Sequence, residues 1–137
     1  MAPGRAQASE DGGRAPEVIV DFEYSGGLLF VSVENIGAAP AYEISVEFDK
    51  KLTGIDGAQE ISALNMFGNL EFLPPKKKIR AFVDSFHSYV KRGQPMVVQT
   101  VTTYRGKGGR KLVDKTTHDL SIYQDLPETG KTEKSLS

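Results

Sequence analysis

The chain has 137 residues, of which 39% are apolar and 26% charged, with a net charge of −1. A balance so close to neutral gives no general attraction to nucleic acid or anionic membranes, and no apolar run reaches the roughly 18 residues a spanning helix needs. Cysteine is absent, which excludes disulfides, thiol catalysis and cysteine-held zinc.

Residues 1–15 are rich in Gly, Ala and small polar residues without periodicity. They bury too little apolar surface to offset ordering entropy, so they read as a disordered leader. Two arginines without an apolar stretch do not make a secretory signal. The default compartment is therefore cytoplasmic, with export the alternative if a leader has been removed. Residues 126–137 read as a disordered tail, which leaves 16–125 as one domain.

Within that domain the dominant period is two, the mark of strands with one buried face. Glu17–Tyr24 places Val18, Val20, Phe22 and Tyr24 on one face and Glu17, Asp21 and Glu23 on the other, with Ile19 the exception. Ser25-Gly26-Gly27 suits a tight hairpin to Leu28–Glu34, where Leu29, Val31 and Val33 alternate with Ser32 and Glu34. After Asn35-Ile36-Gly37 and Pro40, the strand Ala41–Asp49 turns Ile44, Val46 and Phe48 inward and Glu43, Ser45 and Glu47 outward. Leu52 to Leu73 predicts one or two short strands, with a helical turn carrying Ile61, Leu64 and Phe67. Lys77–Asp84 sets Ile79, Ala81 and Val83 against Lys78 and Arg80. Phe86, Tyr89 and Val90 then fit one helical turn before Gly93. Met96–Tyr104 is threonine-rich, and Gly106-Lys107-Gly108-Gly109 marks a hairpin to Lys111–Tyr123, whose inward residues are Leu112, Leu120 and Ile122.

The stretch Val31–Phe48 reads V-S-V-E-N-I-G-A-A-P-A-Y-E-I-S-V-E-F. It resembles bacterial immunoglobulin-like accessory modules of the CARDB and NEW3 types, in which a strand ends in V-x-N-x-G and A-x-x-V/I-x-V-x-F follows. Leu73-Pro74-Pro75, followed by Ile79 and Val83, is similar to their L-P-G segment, with Pro75 where glycine is usual. The resemblance covers about half of the domain and implies a sandwich of about seven strands serving as a spacer or adhesive module, without catalytic residues. The residues also have structural readings. Asn35 and Gly37 tolerate left-handed conformations at a strand end, and Ala41 is small where the chain crosses between sheets.

The most distinctive surface feature is the basic hairpin Arg105, Lys107, Arg110 and Lys111, a candidate anion- or partner-binding tip whose glycine N–H groups can cradle an anion. It lacks the glycine spacing of a dinucleotide loop and the G-K-[ST] of a P-loop. Lys76, Lys77, Lys78 and Arg80 form a second basic run. On one face with the hairpin they would make an anion patch; otherwise they discourage edge pairing. Phe30, Tyr42, Phe82, Tyr89 and Tyr104 fall off the inward alternation or at strand ends, as candidate exposed aromatics for sugar stacking or for a partner domain.

Several other signals are weaker. His87 and His118 each lie near an aspartate, Asp84 and Asp119, but neither has a second histidine at metal spacing. Ser85-Phe86-His87 lacks a nucleophile elbow, and Glu43 and Glu47 sit on a solvated strand face, where a lone acidic pair does no acid–base work. Leu126-Pro127-Glu128-Thr129-Gly130 spells L-P-x-T-G, a sortase signal, but lacks the apolar segment and basic tail such a signal needs.

These features predict an all-β chain, an immunoglobulin-like antiparallel β-sandwich of about seven strands. The expected function is non-catalytic: a binding or structural module for protein–protein contact, with no cofactor, no metal, no nucleic acid and no membrane insertion. The alternative is an accessory module for carbohydrate or cell-surface attachment.

Overall fold

The computed structural model describes residues 14–126. The expectations for residues 1–13, and for the L-P-x-T-G run after Leu126, lie outside them. Arg14 and Ala15, assigned by composition to the leader, belong to the fold. The Arg14 guanidinium donates to the Ala38 carbonyl at 2.8 Å, and the Ala15 carbonyl accepts from Ala38 N at 2.9 Å.

Two antiparallel sheets form the sandwich. The first orders β1 (Val18–Ser25), β2 (Leu28–Asn35) and β7 (Lys78–Ser85) as β1-β2-β7. The second orders β6 (Leu70–Leu73), β3 (Ala41–Phe48), β8 (Val97–Arg105) and β9 (Lys111–Asp119) as β6-β3-β8-β9. The three- and four-stranded sheets together give the seven sandwich strands. Gly26 and Gly27 close the β1–β2 hairpin with φ of 59° and 83°, the paired left-handed geometry of a two-residue turn. Val18, Val20, Phe22, Leu29, Val31 and Val33 are buried as their alternation predicts, packed with Ile44, Val46, Leu73, Val83 and Val98.

The segment between β3 and β6 holds a small ribbon, β4 (Thr53–Gly54) with β5 (Gln59–Glu60), then a 3-10 turn (Ile61–Ala63) and α1 (Asn65–Gly68). Ile61 and Phe67 are buried, so the helical spacing of Ile61, Leu64 and Phe67 marks a real apolar edge. After β7, α2 (Phe86–Lys91) is capped by the Ser85 hydroxyl, which accepts from Ser88 N at 3.1 Å. Ser85 is thus a helix cap.

An ion pair ties these pieces together. Asp84 accepts from Arg92 at 2.6 Å, from Asp56 N at 3.1 Å and from Ser85 N at 2.9 Å. Arg92 also reaches Thr53 Oγ1 at 2.8 Å, and Ile55 N donates to the Val83 carbonyl at 2.8 Å. The ribbon is therefore pinned to the β7–α2 corner.

The structure corrects several readings. Tyr89 and Tyr104, expected among the exposed aromatics, are 0% and 6% exposed. Tyr89 is buried with Phe86 on the inner side of α2, its hydroxyl donating to the Pro95 carbonyl at 2.6 Å. Tyr104 continues the inward series Val98, Thr100, Thr102 on β8, where threonines occupy core positions. Ile122, expected inward, is 58% exposed, because β9 ends at Asp119 and a 3-10 turn (Leu120–Tyr123) rotates it out. Ser32, expected outward, is buried.

Asn35 and Gly37 do not occupy left-handed conformations. Asn35 is a buried hub: its Oδ1 accepts from Glu17 N at 3.1 Å and Gly37 N at 2.9 Å, and its Nδ2 donates to the carbonyls of Ala39 at 2.9 Å and Leu73 at 3.0 Å. Gly37 is small because the incoming chain presses on it: a Cβ there would lie 2.5 Å from Glu17 N and 2.8 Å from Pro16 C.

Candidate interaction face

The outer face of the four-stranded sheet brings separate sequence candidates together. Phe72 of β6 pairs with Tyr42 of β3, Tyr42 with Arg105 of β8, and Arg105 with Lys111 of β9. Their chain neighbours Leu73, Ala41, Tyr104 and Leu112 point into the core, so these four point out. The result is one cross-strand row, two aromatics followed by two cations. The Tyr42 and Phe72 ring centroids are 5.5 Å apart, tilted by 47°. Phe72 is 51% exposed, a large ring left on a sheet surface. Nothing in its own stretch, Leu70–Leu73, marks it from sequence; only its pairing with Tyr42 does.

A β-bulge shapes the row. Three steps from Tyr42 to Ser45 oppose two from Arg105 to Thr103, and Glu43 takes up the extra residue at φ 53°. The bulge lets Ala41 and Ile44, three residues apart, both be buried, and turns Tyr42 outward. It also opens a groove of about 530 Å³ between β3 and β6, walled by Tyr42, Glu43, Asn69 and Glu71. Arg105 donates to the Glu43 carboxylate at 2.9 Å and to the Gly109 carbonyl at 2.8 Å, which fixes its guanidinium beside Tyr42.

The hairpin tip is partly closed by its own hydrogen bonds. Gly106 N donates to the Arg110 carbonyl at 3.3 Å and Gly109 N to the Gly106 carbonyl at 2.9 Å, so two of its N–H groups are spent within the turn. Arg105 and Lys111 leave the tip for the sheet face, and Lys107 and Arg110 extend that face as exposed residues.

The second basic run lies on the other sheet, so the two runs do not form one patch. Lys78 and Arg80 close on Glu23 at 2.7 and 3.3 Å, and Lys76 donates to the Ile36 carbonyl at 3.2 Å. The Lys78 ammonium holds the Glu23 carboxyl below its ordinary value, and Glu23 in turn raises Lys78. Arg80 lies 4.0 Å over the Phe30 ring, and Phe30 meets Phe82 edge-on at 5.7 Å. This smaller aromatic pair is braced by its own ion pairs.

The histidines do not converge. His87 is exposed on α2, and its neighbour Asp84 is engaged by Arg92. His118 is buried, shares a 2.9 Å hydrogen bond with Thr100 Oγ1 and meets the Phe22 ring at 5.1 Å. Burial pushes its pKa down. Asp119 accepts from Ser121 N at 3.0 Å, capping the 3-10 turn. Among the described residues no three His, Asp or Glu side chains are grouped as metal ligands would be, and no helix is long and apolar enough to cross a membrane.

A family described as a domain of unknown function (DUF8453) matches residues 4–124. The chain belongs to that family. The matched span takes in the complete sandwich of this DUF8453 domain, with Tyr42, Phe72, Arg105 and Lys111. No curated protein matches the chain in sequence.

Proposed function

We propose that the domain is a non-catalytic binding module that holds a protein partner against the outer face of its four-stranded sheet. The observation that carries this reading is the row Phe72–Tyr42–Arg105–Lys111, in register across all four strands. Aromatic and arginine side chains are enriched where protein interfaces concentrate their binding energy. Such a partner would cover Phe72 with an apolar side chain and meet Lys107 and Lys111 with carboxylates. The sheet order supports the immunoglobulin-like reading, and with it a spacer or adhesive role of the CARDB and NEW3 kind. Carbohydrate is the less favoured ligand, because rings tilted by 47° do not offer one flat stacking platform.

The test compares three forms of the chain as bait: unaltered, Tyr42→Ser/Phe72→Ser/Arg105→Glu, and Phe82→Ser on the opposite sheet. A protein retained by the first and third but lost from the second supports the reading. Equal retention by all three overturns it. Co-sedimentation with insoluble polysaccharide, lost in the same triple variant, moves the face to the carbohydrate class.

A further inference from the structure

The outer face of the four-stranded sheet is divided down its midline. On one half, β6 and β3 present Phe72, Tyr42, Glu43 and Glu47, and the sequence of neither strand contains a lysine or arginine. On the other half, β8 and β9 present Arg105, Lys111 and Lys115, with Val101 and Val113 between them. Asp119, which also points outward, lies at the far end of β9 and accepts from Ser121. Strand pairing sets these residues in level rows. Phe72, Tyr42, Arg105 and Lys111 share the first. Ser45, Thr103 and Val113 share the second, and Glu47, Val101 and Lys115 the third. Val113 is 56% exposed although it sits within a strand. It is level with the groove between β3 and β6, which Ser45, Asn69 and Leu70 line on the opposite half of the sheet.

A surface with carboxylates and aromatic rings on one half and cations on the other complements itself when turned through a half-circle. We propose that this face binds a second copy of the chain about a two-fold axis that runs parallel to the strands, between β3 and β8. This rests on the reading of the face as a protein-binding surface and names its partner. Such an axis lays β6 over the partner's β9 and β3 over the partner's β8, so that each row meets its own counterpart. It also keeps the strand directions aligned, as in sheets packed face to face. Each Lys111 then lies over the partner's Phe72 and each Arg105 over the partner's Tyr42, cations on ring faces. Each Val113 drops into the partner's groove. Each Glu47 lies one strand spacing, about 4.8 Å, to the side of the partner's Lys115, within reach of the two side chains. An axis across the strands would instead stack each strand on itself, lysines on lysines and glutamates on glutamates. The face is about 20 Å wide and about 30 Å long. That is small beside the interfaces of obligate dimers, so association is expected in the micromolar range.

The experiment follows the full chain by sedimentation velocity and light scattering from low micromolar to near-millimolar concentration. The unaltered chain is expected to pass from monomer to dimer, and to associate more weakly as salt is raised. Glu47→Lys and Lys115→Glu change exposed side chains, and thermal midpoints report whether each fold is kept. Each should weaken self-association about tenfold or more, because each sets like charges together twice per dimer. Mixed in equal amounts, the two variants should associate with each other about as well as the parent does with itself, because both contacts again join opposite charges. Val113→Asp should abolish the dimer, and Phe82→Ser, on the other sheet, should leave it unchanged. A chain that stays monomeric throughout, single variants that dimerise like the parent, or a mixture that gains nothing over its components would each overturn the proposal. A monomeric chain that still retains a different protein, lost in Tyr42→Ser/Phe72→Ser/Arg105→Glu, would sink the second copy alone and leave the binding-module reading standing.

Discussion

Asn35 in one sheet donates its side-chain amide to the Leu73 carbonyl in the other at 3.0 Å, a direct hydrogen bond between the two layers of the sandwich. The same side chain receives Glu17 N and Gly37 N. One buried amide thus fastens the entering chain, the end of β2 and the end of β6. An amide has two donor hydrogens and an acceptor oxygen with two lone pairs, and all four are used here.

Asn35→Ala leaves four backbone groups without their partner. A buried group left unsatisfied costs about 1–3 kcal/mol, but some of these can relax toward water, so the net loss should be about 2–4 kcal/mol. Asn35→Asp keeps the two acceptor contacts but sets a carboxylate against two carbonyls, and should do no better. Urea unfolding midpoints check both, and a change under 1 kcal/mol on the same scale would show that the hub is dispensable.

Gly37→Ala separates close approach from backbone freedom. Its added Cβ would meet main-chain atoms of Pro16 and Glu17, which cannot rotate away. The expected loss is about 1–3 kcal/mol, as for other overpacked sites. It should come with faster exchange at Ala38 and Ala39, whose N–H groups bond the Ala15 carbonyl. If Gly37 served only as a flexible turn residue, alanine would be neutral or slightly stabilising.

Much of the sandwich was legible because its core strands alternate cleanly. Val18, Val20 and Phe22, or Leu29, Val31 and Val33, admit one inward face only. What escaped has physical reasons. The bulge at Glu43 was hidden because its left-handed residue is a glutamate, whereas a glycine there would have announced it. Without it, strict alternation would put Tyr42 on the face of Ile44, and sequence marks Tyr42 only as a strand-end exception. Tyr104 was misplaced because Thr100 and Thr102, its companions on β8, look like surface residues while filling core positions. The proposed interaction row was half legible: the cations stand out in sequence and Tyr42 was a candidate, but Phe72 joins them only through non-local pairing. Asn35 had the signature of a turn residue, and its buried role depends on Leu73, 38 residues away.

The pair Asp84–Arg92 should be strongly coupled. Asp84 is almost fully buried while Arg92 keeps about a fifth of its side chain exposed, 7% against 21%. Removing one partner of a fully buried pair costs 3–5 kcal/mol, and the partial exposure of Arg92 lowers this to about 2–4. Asp84→Ala and Arg92→Met should each fall in that range, and the double variant should cost at least about 1 kcal/mol less than their sum. Additive losses would mean that the 2.6 Å contact contributes no coupling.

Stability should fall on acidification because of His118. Its folded pKa lies below the ordinary 6.5, since burial disfavours the imidazolium. Below pH 6.5 the unfolded chain therefore takes up a proton before the folded one does, which favours unfolding. The contribution is fully present above 6.5 and is lost as pH falls toward the folded pKa, with a slope of at most about 1.4 kcal/mol per pH unit. His118→Gln retains a hydrogen bond for Thr100 but cannot titrate, and should flatten thermal midpoints between pH 6.5 and 5. An unchanged slope would place the titration elsewhere.

Glu43→Gly tests whether the bulge residue serves the fold or the face. At φ 53° a glutamate bears strain that glycine does not, of roughly 1 kcal/mol. The carboxylate's contact with Arg105 is exposed, 70% and 44% on the two side chains, so its loss subtracts little. Glycine's larger unfolded-state entropy offsets part of the relief, leaving stability unchanged or raised by up to about 1 kcal/mol. Partner binding should respond in the opposite direction. Without Glu43 the guanidinium keeps the Gly109 carbonyl but loses the acceptor that holds it beside Tyr42, so ordering it on binding costs more. A variant as stable as the parent that holds its partner more weakly would assign the strained residue to the interaction face. A clear loss of stability would assign it to the sheet.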